Sequence, residues 1–129
     1  MQKSIIRTDR APAPVGAYNQ AVRAGNLIYV SGQIAINPAT GELITGDIES
    51  ETRQVLDNLR AIVEAGGSSM DQVVKCEVFV NDMGNFGRVN TVYAEYFTEE
   101  SAPARALVEV AALPKYVNVE ISCIALTDN

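Results

Sequence analysis

The sequence predicts an α+β fold: one β-sheet carrying two helices on a single face. Three observations lead to it. Two stretches, from Asp47 and from about Asn85, repeat apolar residues at helical spacing, and each is bracketed by short β-branched runs. The order reads strand, hairpin, helix, strand, helix and two final strands, which suggests two strand–helix–strand halves on one sheet. Finally, the strand runs alternate apolar and polar residues, so one face of the sheet packs a core and the other does something else.

Lys3 to Arg7 is predicted as a short edge strand, and Ala11-Pro12-Ala13-Pro14 breaks the chain after it. Tyr18 to Arg23 and Leu27 to Ser31 flank the turn-forming Ala24-Gly25-Asn26, a hairpin pattern. Gly32 to Gly46 contains Asn37-Pro38, Thr40-Gly41 and Thr45-Gly46 and reads as an exposed loop with one extended piece at Ile34 to Ile36. In the first helix Val55, Leu56, Leu59, Ile62 and Val63 form the buried stripe, with Glu51, Arg53, Asp57, Arg60 and Glu64 on the opposite side; Asp47 is the N-cap and Gly66-Gly67 the stop. Val73 to Asn81 is a strand with Lys75 and Glu77 on one face and Val74, Cys76, Val78 and Val80 on the other. The second helix runs from about Asn85 to Phe97 on a stripe of Phe86, Val89, Tyr93 and Phe97. Two β-branched runs, Pro103 to Val110 and Val117 to Ala125, joined by a connection containing Pro114, then read as antiparallel neighbours.

At 129 residues, 47% of them hydrophobic, the chain is one domain able to bury a core without disulfides or a structural metal. No apolar run approaches the roughly 20 residues of a membrane helix, and Met1 to Arg7 lacks a signal-peptide stretch, so a cytoplasmic location is expected. Cys76 and Cys123 sit inside apolar strand patterns and read as reduced core thiols. With no histidine, serine-type triads, imidazole acid–base steps and histidine-ligated metals are off the menu; no metal or cofactor is expected. A net charge of −6 and three scattered lysines weigh against nucleic acid as a partner.

The best candidates for chemistry lie in the last two runs. A symmetric connection sets Arg105 opposite Ser122, with Glu120 one diagonal step away on the same face. Arg binds a carboxylate through two parallel hydrogen bonds, leaving Glu to move a proton. The same spacing also fits a structural ion pair across two strands. Alternation puts Val119, Ile121 and Cys123 on the core side, and Glu120, Ser122 and Ile124, together with Arg105 and Leu107, on a mixed face suited to an interface or cleft.

Four segments in series resemble the reactive intermediate deaminase family, also called Rid or YjgF. They are Ala11-Pro12 with Gly16-Ala17-Tyr18-Asn19-Gln20-Ala21; Ser31-Gly32-Gln33-Ile34 with Asn37-Pro38-Ala39-Thr40-Gly41-Glu42; Asp57-Asn58-Leu59; and Pro103 to Ile121 around Leu113-Pro114-Lys115. The resemblance implies a chorismate-mutase-like single mixed sheet with two helices on one face, and homotrimers with the sheets facing inward and sites between subunits. It also implies hydrolysis of 2-enamine and 2-imine acids, such as 2-aminoacrylate and 2-aminocrotonate with their imine tautomers, to 2-keto acids and ammonia. Carried over residue by residue, Arg105 would clamp the substrate carboxylate and Glu120 would activate the water. Burial would raise the Glu120 pKa, and a nearby Arg105 would lower it. Tyr18 would be an aromatic wall with its hydroxyl near the substrate, Ser31-Gly32 would offer backbone donors, and Asn90 would be a polar contact on the second helix. Leu107 stands where many bacterial members have Cys, so activity is expected to survive with an altered pocket shape, and Ala102 stands where an aromatic residue is common, which implies a looser rim or a shifted substrate preference. Competing functions are a trimer that binds small carboxylates without turnover, and a ribonuclease or holdase chaperone, which the acidic charge disfavours.

Overall fold

The computed structural model describes residues 2–127 and contains six strands and two helices: β1 (Lys3–Ile6), β2 (Ala21–Ala24), β3 (Leu27–Gln33), α1 (Ile48–Ala65), β4 (Val73–Val80), α2 (Phe86–Tyr96), β5 (Ala104–Glu109) and β6 (Val119–Leu126). All six strands form one mixed sheet in the order β1-β2-β3-β6-β4-β5. Both helices pack on one face, where Ile28, Val30, Val78, Val80, Val119 and Ile121 meet Val55, Leu56, Leu59, Ile62, Val89 and Val92 in a single core.

The helix ends are where local chemistry puts them. Asp47 caps α1 by accepting from the Ser50 amide at 2.8 Å and the Ser50 hydroxyl at 3.0 Å, which holds its carboxyl below the ordinary range. At the other end Gly67 takes a φ of 83°, and the amides of Gly67 and Ser68 return to the carbonyls of Glu64 and Val63. That is a Schellman closure, for which a residue without Cβ is suited.

Three expectations are corrected. The last two strands are not neighbours: β4 lies between them, paired parallel to β5 and antiparallel to β6. The segment β4–α2–β5 is a crossover unit, which sets β5 beside β4 at the sheet margin. The connection 110–118 then steps over the end of β4, with the Val110 amide donating to the Val80 carbonyl and the Asn81 amide to the Asn118 carbonyl. It is long enough to cross the roughly 10 Å to the next-but-one strand.

Glu51, assigned to the outer side of α1, is fully buried at 0% exposure. Its carboxylate accepts from the Asn118 and Val119 amides at 2.7 and 3.0 Å and from the Asn118 side chain at 2.7 Å. Val74, assigned to the buried face, is exposed because the β4–β6 register shifts between Val73 and Lys75. From Cys76 onward the alternation is as predicted, and Cys76 and Cys123 are buried free thiols on adjacent strands.

Candidate active site

A cavity of about 460 Å³ opens on the side of the sheet away from the helices, bounded by β3, β6 and three loops. Its base is a β-bulge. Val30 pairs with Cys123 and Gln33 with Ile121, so Ser31 and Gly32 together face the single residue Ser122. A bulge interrupts the ladder and redirects neighbouring side chains. Here it spreads the Glu120 side chain over Gly32, where a Cβ would come within 2.6 Å of Glu120 Oε2 and 2.9 Å of Cδ.

Two of its three walls are tied down by buried amides. Gln20 accepts from the Thr8 amide at 2.8 Å and donates to the carbonyls of Thr8, Ala11 and Pro12, fastening the segment that carries Pro12, Ala13 and Val15. Asn58 on α1 donates to the Ile34 and Ile36 carbonyls at 3.1 and 2.9 Å, fixing the opposite wall. Pro114 and Lys115 form the third side, in a turn where Lys115 and Tyr116 have φ of 55° and 57°. Two successive non-glycine residues in the left-handed region store about 1–2 kcal/mol each.

Among the lining residues Glu120 is the only acid and Lys115 the only base. Glu120 is half-buried and has neither a hydrogen-bond nor an ion-pair partner among the described residues. Burial pushes its carboxyl above the usual range. Of the two opposing effects considered from sequence, burial is the one that acts within the chain.

Tyr18 lines the same cavity from the loop before β2 and is half-exposed, its hydroxyl oxygen accepting from the Val15 amide at 3.3 Å. The phenolic proton remains available to a ligand. Ser31 is committed to the framework: its hydroxyl donates to the Asn19 carbonyl at 2.6 Å, its amide to the Gln20 carbonyl, and its carbonyl accepts from Gln33. The expectation of a free Ser31 amide is therefore corrected, because the loop before β2 already occupies it.

Arg105 is elsewhere. It pairs with Cys76 on the core side of the sheet and reaches α2, where Nη1 donates to Asn90 Oδ1 at 2.8 Å. Its guanidinium lies 4.8 Å from the Tyr93 ring centroid and 5.8 Å from that of Phe86. Leu107 shares that side and packs against the core. Arg105 and Glu120 thus point to opposite sides of the sheet, and the shared patch expected from adjacent strands does not exist within one chain. The cause is the intervening β4: Arg105 is level with Cys76 and Cys123, two buried residues, whereas Glu120 is level with Phe79 on the open face. Asn90 falls with Arg105 and not in the cavity. No carboxylate lies within ion-pair distance of Arg105 among the described residues.

The sequence model of the family described as endoribonuclease L-PSP matches residues 8–127. The chain belongs to this family, the Rid/YjgF family. Within it, the 2-iminobutanoate/2-iminopropanoate deaminase of Escherichia coli K12 is 50% identical over 123 residues, 94% of this chain and 95% of that protein. A crystal structure of a putative endoribonuclease from Thermotoga maritima superposes with a TM-score of 0.95 at 50% identity, covering both chains completely. The E. coli TdcF structure, solved with bound serine, superposes with a TM-score of 0.91 at 42% identity over 97% of this chain and 99% of that one.

The Rid/YjgF motifs have visible physical roles here. Gln20 and Asn58, not among the residues expected at the site, lie inside the motif segments and hold the cavity walls. Phe86 and Tyr93 read as core positions in the sequence, and nothing in their spacing marks them as partners of Arg105.

Gly32→Ala is expected to push the Glu120 carboxylate out toward solvent and lower its pKa toward the ordinary value. The φ of Gly32 is not in the left-handed region and the obstructing atoms end a flexible side chain, so folding survives. A side-chain carboxyl NMR titration checks this; an unchanged Glu120 titration would show that the glycine is not what admits the carboxylate.

Proposed function

We propose that the protein hydrolyses reactive 2-enamine and 2-imine acids to 2-keto acids and ammonia, in sites completed between copies of the chain in a homotrimer. One copy supplies Glu120, Tyr18 and the Gly32 bulge; the next supplies Arg105. The observation that carries this is an unpaired acid in a cavity, its pKa raised by burial, with an unpaired Arg on the other side of the same sheet. Each is half of a carboxylate-and-water site, and a second chain is the nearest source of the missing half. The open face between them, with Ile5, Tyr29 and Val108 exposed, supports an inward-facing sheet. The deaminase name of one relative and the serine bound to another support a small amino-acid-like substrate.

These groups set the chemistry. Arg105 holds the substrate carboxylate, which fixes the adjacent C=N carbon over the cavity. Glu120 takes a proton from water as the oxygen bonds to the carbon of the protonated imine, the form an enamine reaches by taking a proton on carbon, and the C=N pair moves onto nitrogen to give a neutral carbinolamine. The protonated Glu120 then returns its proton to nitrogen, the C–N bond breaks as the oxygen forms the C=O bond, ammonia leaves, and the hydroxyl proton passes to the Glu120 carboxylate and on to water as the keto acid forms. A carboxyl whose pKa lies above the usual value is a stronger base for the first step and still acidic enough for the second. No thiol is needed, so Leu107 is compatible with turnover.

The acidity of Glu120 has two consequences. The acid limb of kcat/KM is expected to lie above the ordinary glutamate value of about 4.3 and to vanish in Glu120→Gln. For stability the sign is reversed: a folded-state pKa above the unfolded one means that the folded protein holds the proton more tightly, and that contribution is lost as pH rises through the raised value. Glu120→Gln is therefore expected to raise Tm near pH 7.5 and to lose its advantage below about pH 4. A thermal scan across pH that shows Glu120→Gln less stable than wild type at neutral pH would contradict a desolvated carboxylate.

The functional test is coupling to a threonine dehydratase. Addition of the protein is expected to speed 2-oxobutanoate release, and no acceleration at any concentration would exclude the deaminase reading.

A further inference from the structure

Phe86, Asn90 and Tyr93 occupy positions i, i+4 and i+7 of α2, one face of the helix, and all three converge on the Arg105 guanidinium. The Tyr93 ring is 6% exposed and lies closest, at 4.8 Å. Phe86, the one stripe residue left substantially exposed, covers the outer part at 5.8 Å. Asn90 takes a single N–H at 2.8 Å and leaves the other donors of the fork free.

The Tyr93 hydroxyl is buried against the Cys76 thiol, a weak partner that it meets outside good hydrogen-bond geometry. A buried phenol set against a thiol gains little from so weak a contact, so hydrogen bonding by the hydroxyl accounts for little of this side chain's place here. The ring face does: a π-face beneath a guanidinium attracts it and holds its plane.

We propose that Tyr93, seconded by Phe86, is a positioning residue: the aromatic cradle on α2 sets the plane of Arg105 so that its unused N–H edge points outward from the sheet margin to meet a carboxylate. This rests on the function proposed above for the role of Arg105, but the cradle has a signature of its own. Arg105 N–H protons lying over ring faces are shifted upfield by ring currents, whether or not the protein turns anything over.

The test combines that signal with kinetics in Tyr93→Phe, Tyr93→Leu and Phe86→Leu, the last at a half-exposed position that guards against a folding failure at 93. Tyr93→Phe is expected to keep the upfield Arg105 Nε–H resonance and wild-type kinetics, and to be no less stable. Tyr93→Leu and Phe86→Leu are expected to lose or reduce the shift and to raise KM for the imino acid about tenfold while kcat changes little, since a mispositioned clamp weakens ground-state and transition-state binding together. An unshifted Arg105 resonance in wild type, or leucine variants with unchanged KM, would overturn the proposal. A shifted resonance in a protein without deaminase activity would leave the cradle standing and remove the reading of the site.

Discussion

Arg105→Ala is expected to lower kcat/KM for 2-aminocrotonate and its imine by about 100- to 1000-fold, the loss of a two-point charge-assisted contact that water replaces poorly. Arg105→Lys is expected to recover only part of this, because an ammonium group cannot present the planar fork that Asn90 and the two rings orient. Glu120→Gln is expected to reduce kcat by about 100- to 10,000-fold with a modest change in KM, as removal of a general acid–base does. A clamp and a proton carrier therefore fail in different kinetic constants. A protein that merely holds small carboxylates would show no turnover to lose and the same affinity in wild type and Glu120→Gln. Coupled assay with threonine dehydratase, extrapolated to saturating dehydratase product, separates these outcomes.

The second large effect is on folding. Glu51→Ala is expected to destabilise the protein by about 3 kcal/mol, because it leaves the buried Val119 amide and the part-buried Asn118 amide and side chain without their acceptor. Glu51→Gln is expected to cost less. Its carbonyl oxygen still serves the two backbone amides, but its NH₂ then faces the Asn118 NH₂ unless that amide turns over. Turning it disturbs the bond in which Asn118 Oδ1 accepts from Asn81 at 3.0 Å. Because these contacts pin the start of β6, one residue before Glu120, the alanine variant should lose activity beyond its loss of folded protein. Urea unfolding of the three proteins gives the ranking, and equal stability of wild type and Glu51→Ala would mean that the carboxylate holds nothing.

Glu51 also shows where sequence reading stops. A carboxylate in the first turn of a helix reads as a solvent-facing partner of the helix dipole, even one turn before the buried Val55, and the groups that satisfy it are 67 and 68 residues away. The buried face of α1, its Asp47 cap, the Gly66-Gly67 closure and the alternation of β6 were legible because each is settled within a few residues. Strand order was not. Two β-branched runs separated by a Pro-containing link look like a hairpin, and only the β4–α2–β5 crossover, a long-range choice, wedges β4 between them. That single error put Arg105 on the face of Glu120. The identities of the candidate residues came from motif resemblance and local chemistry, which do not depend on strand order; their juxtaposition did.

On the function proposed above, Arg105 and Glu120, separated in this way, make a whole site where copies of the chain meet. Equal amounts of Arg105→Ala and Glu120→Gln chains, each inactive alone, should be co-refolded and mixed trimers verified by native mass spectrometry. Where one copy contributes Arg105 and its neighbour Glu120, random assembly leaves about a third of the sites in mixed trimers, and about a quarter of all sites in the preparation, with both groups intact, so about a quarter of wild-type activity is expected to return overall. Mixed trimers as inactive as either parent would contradict an active site shared between copies.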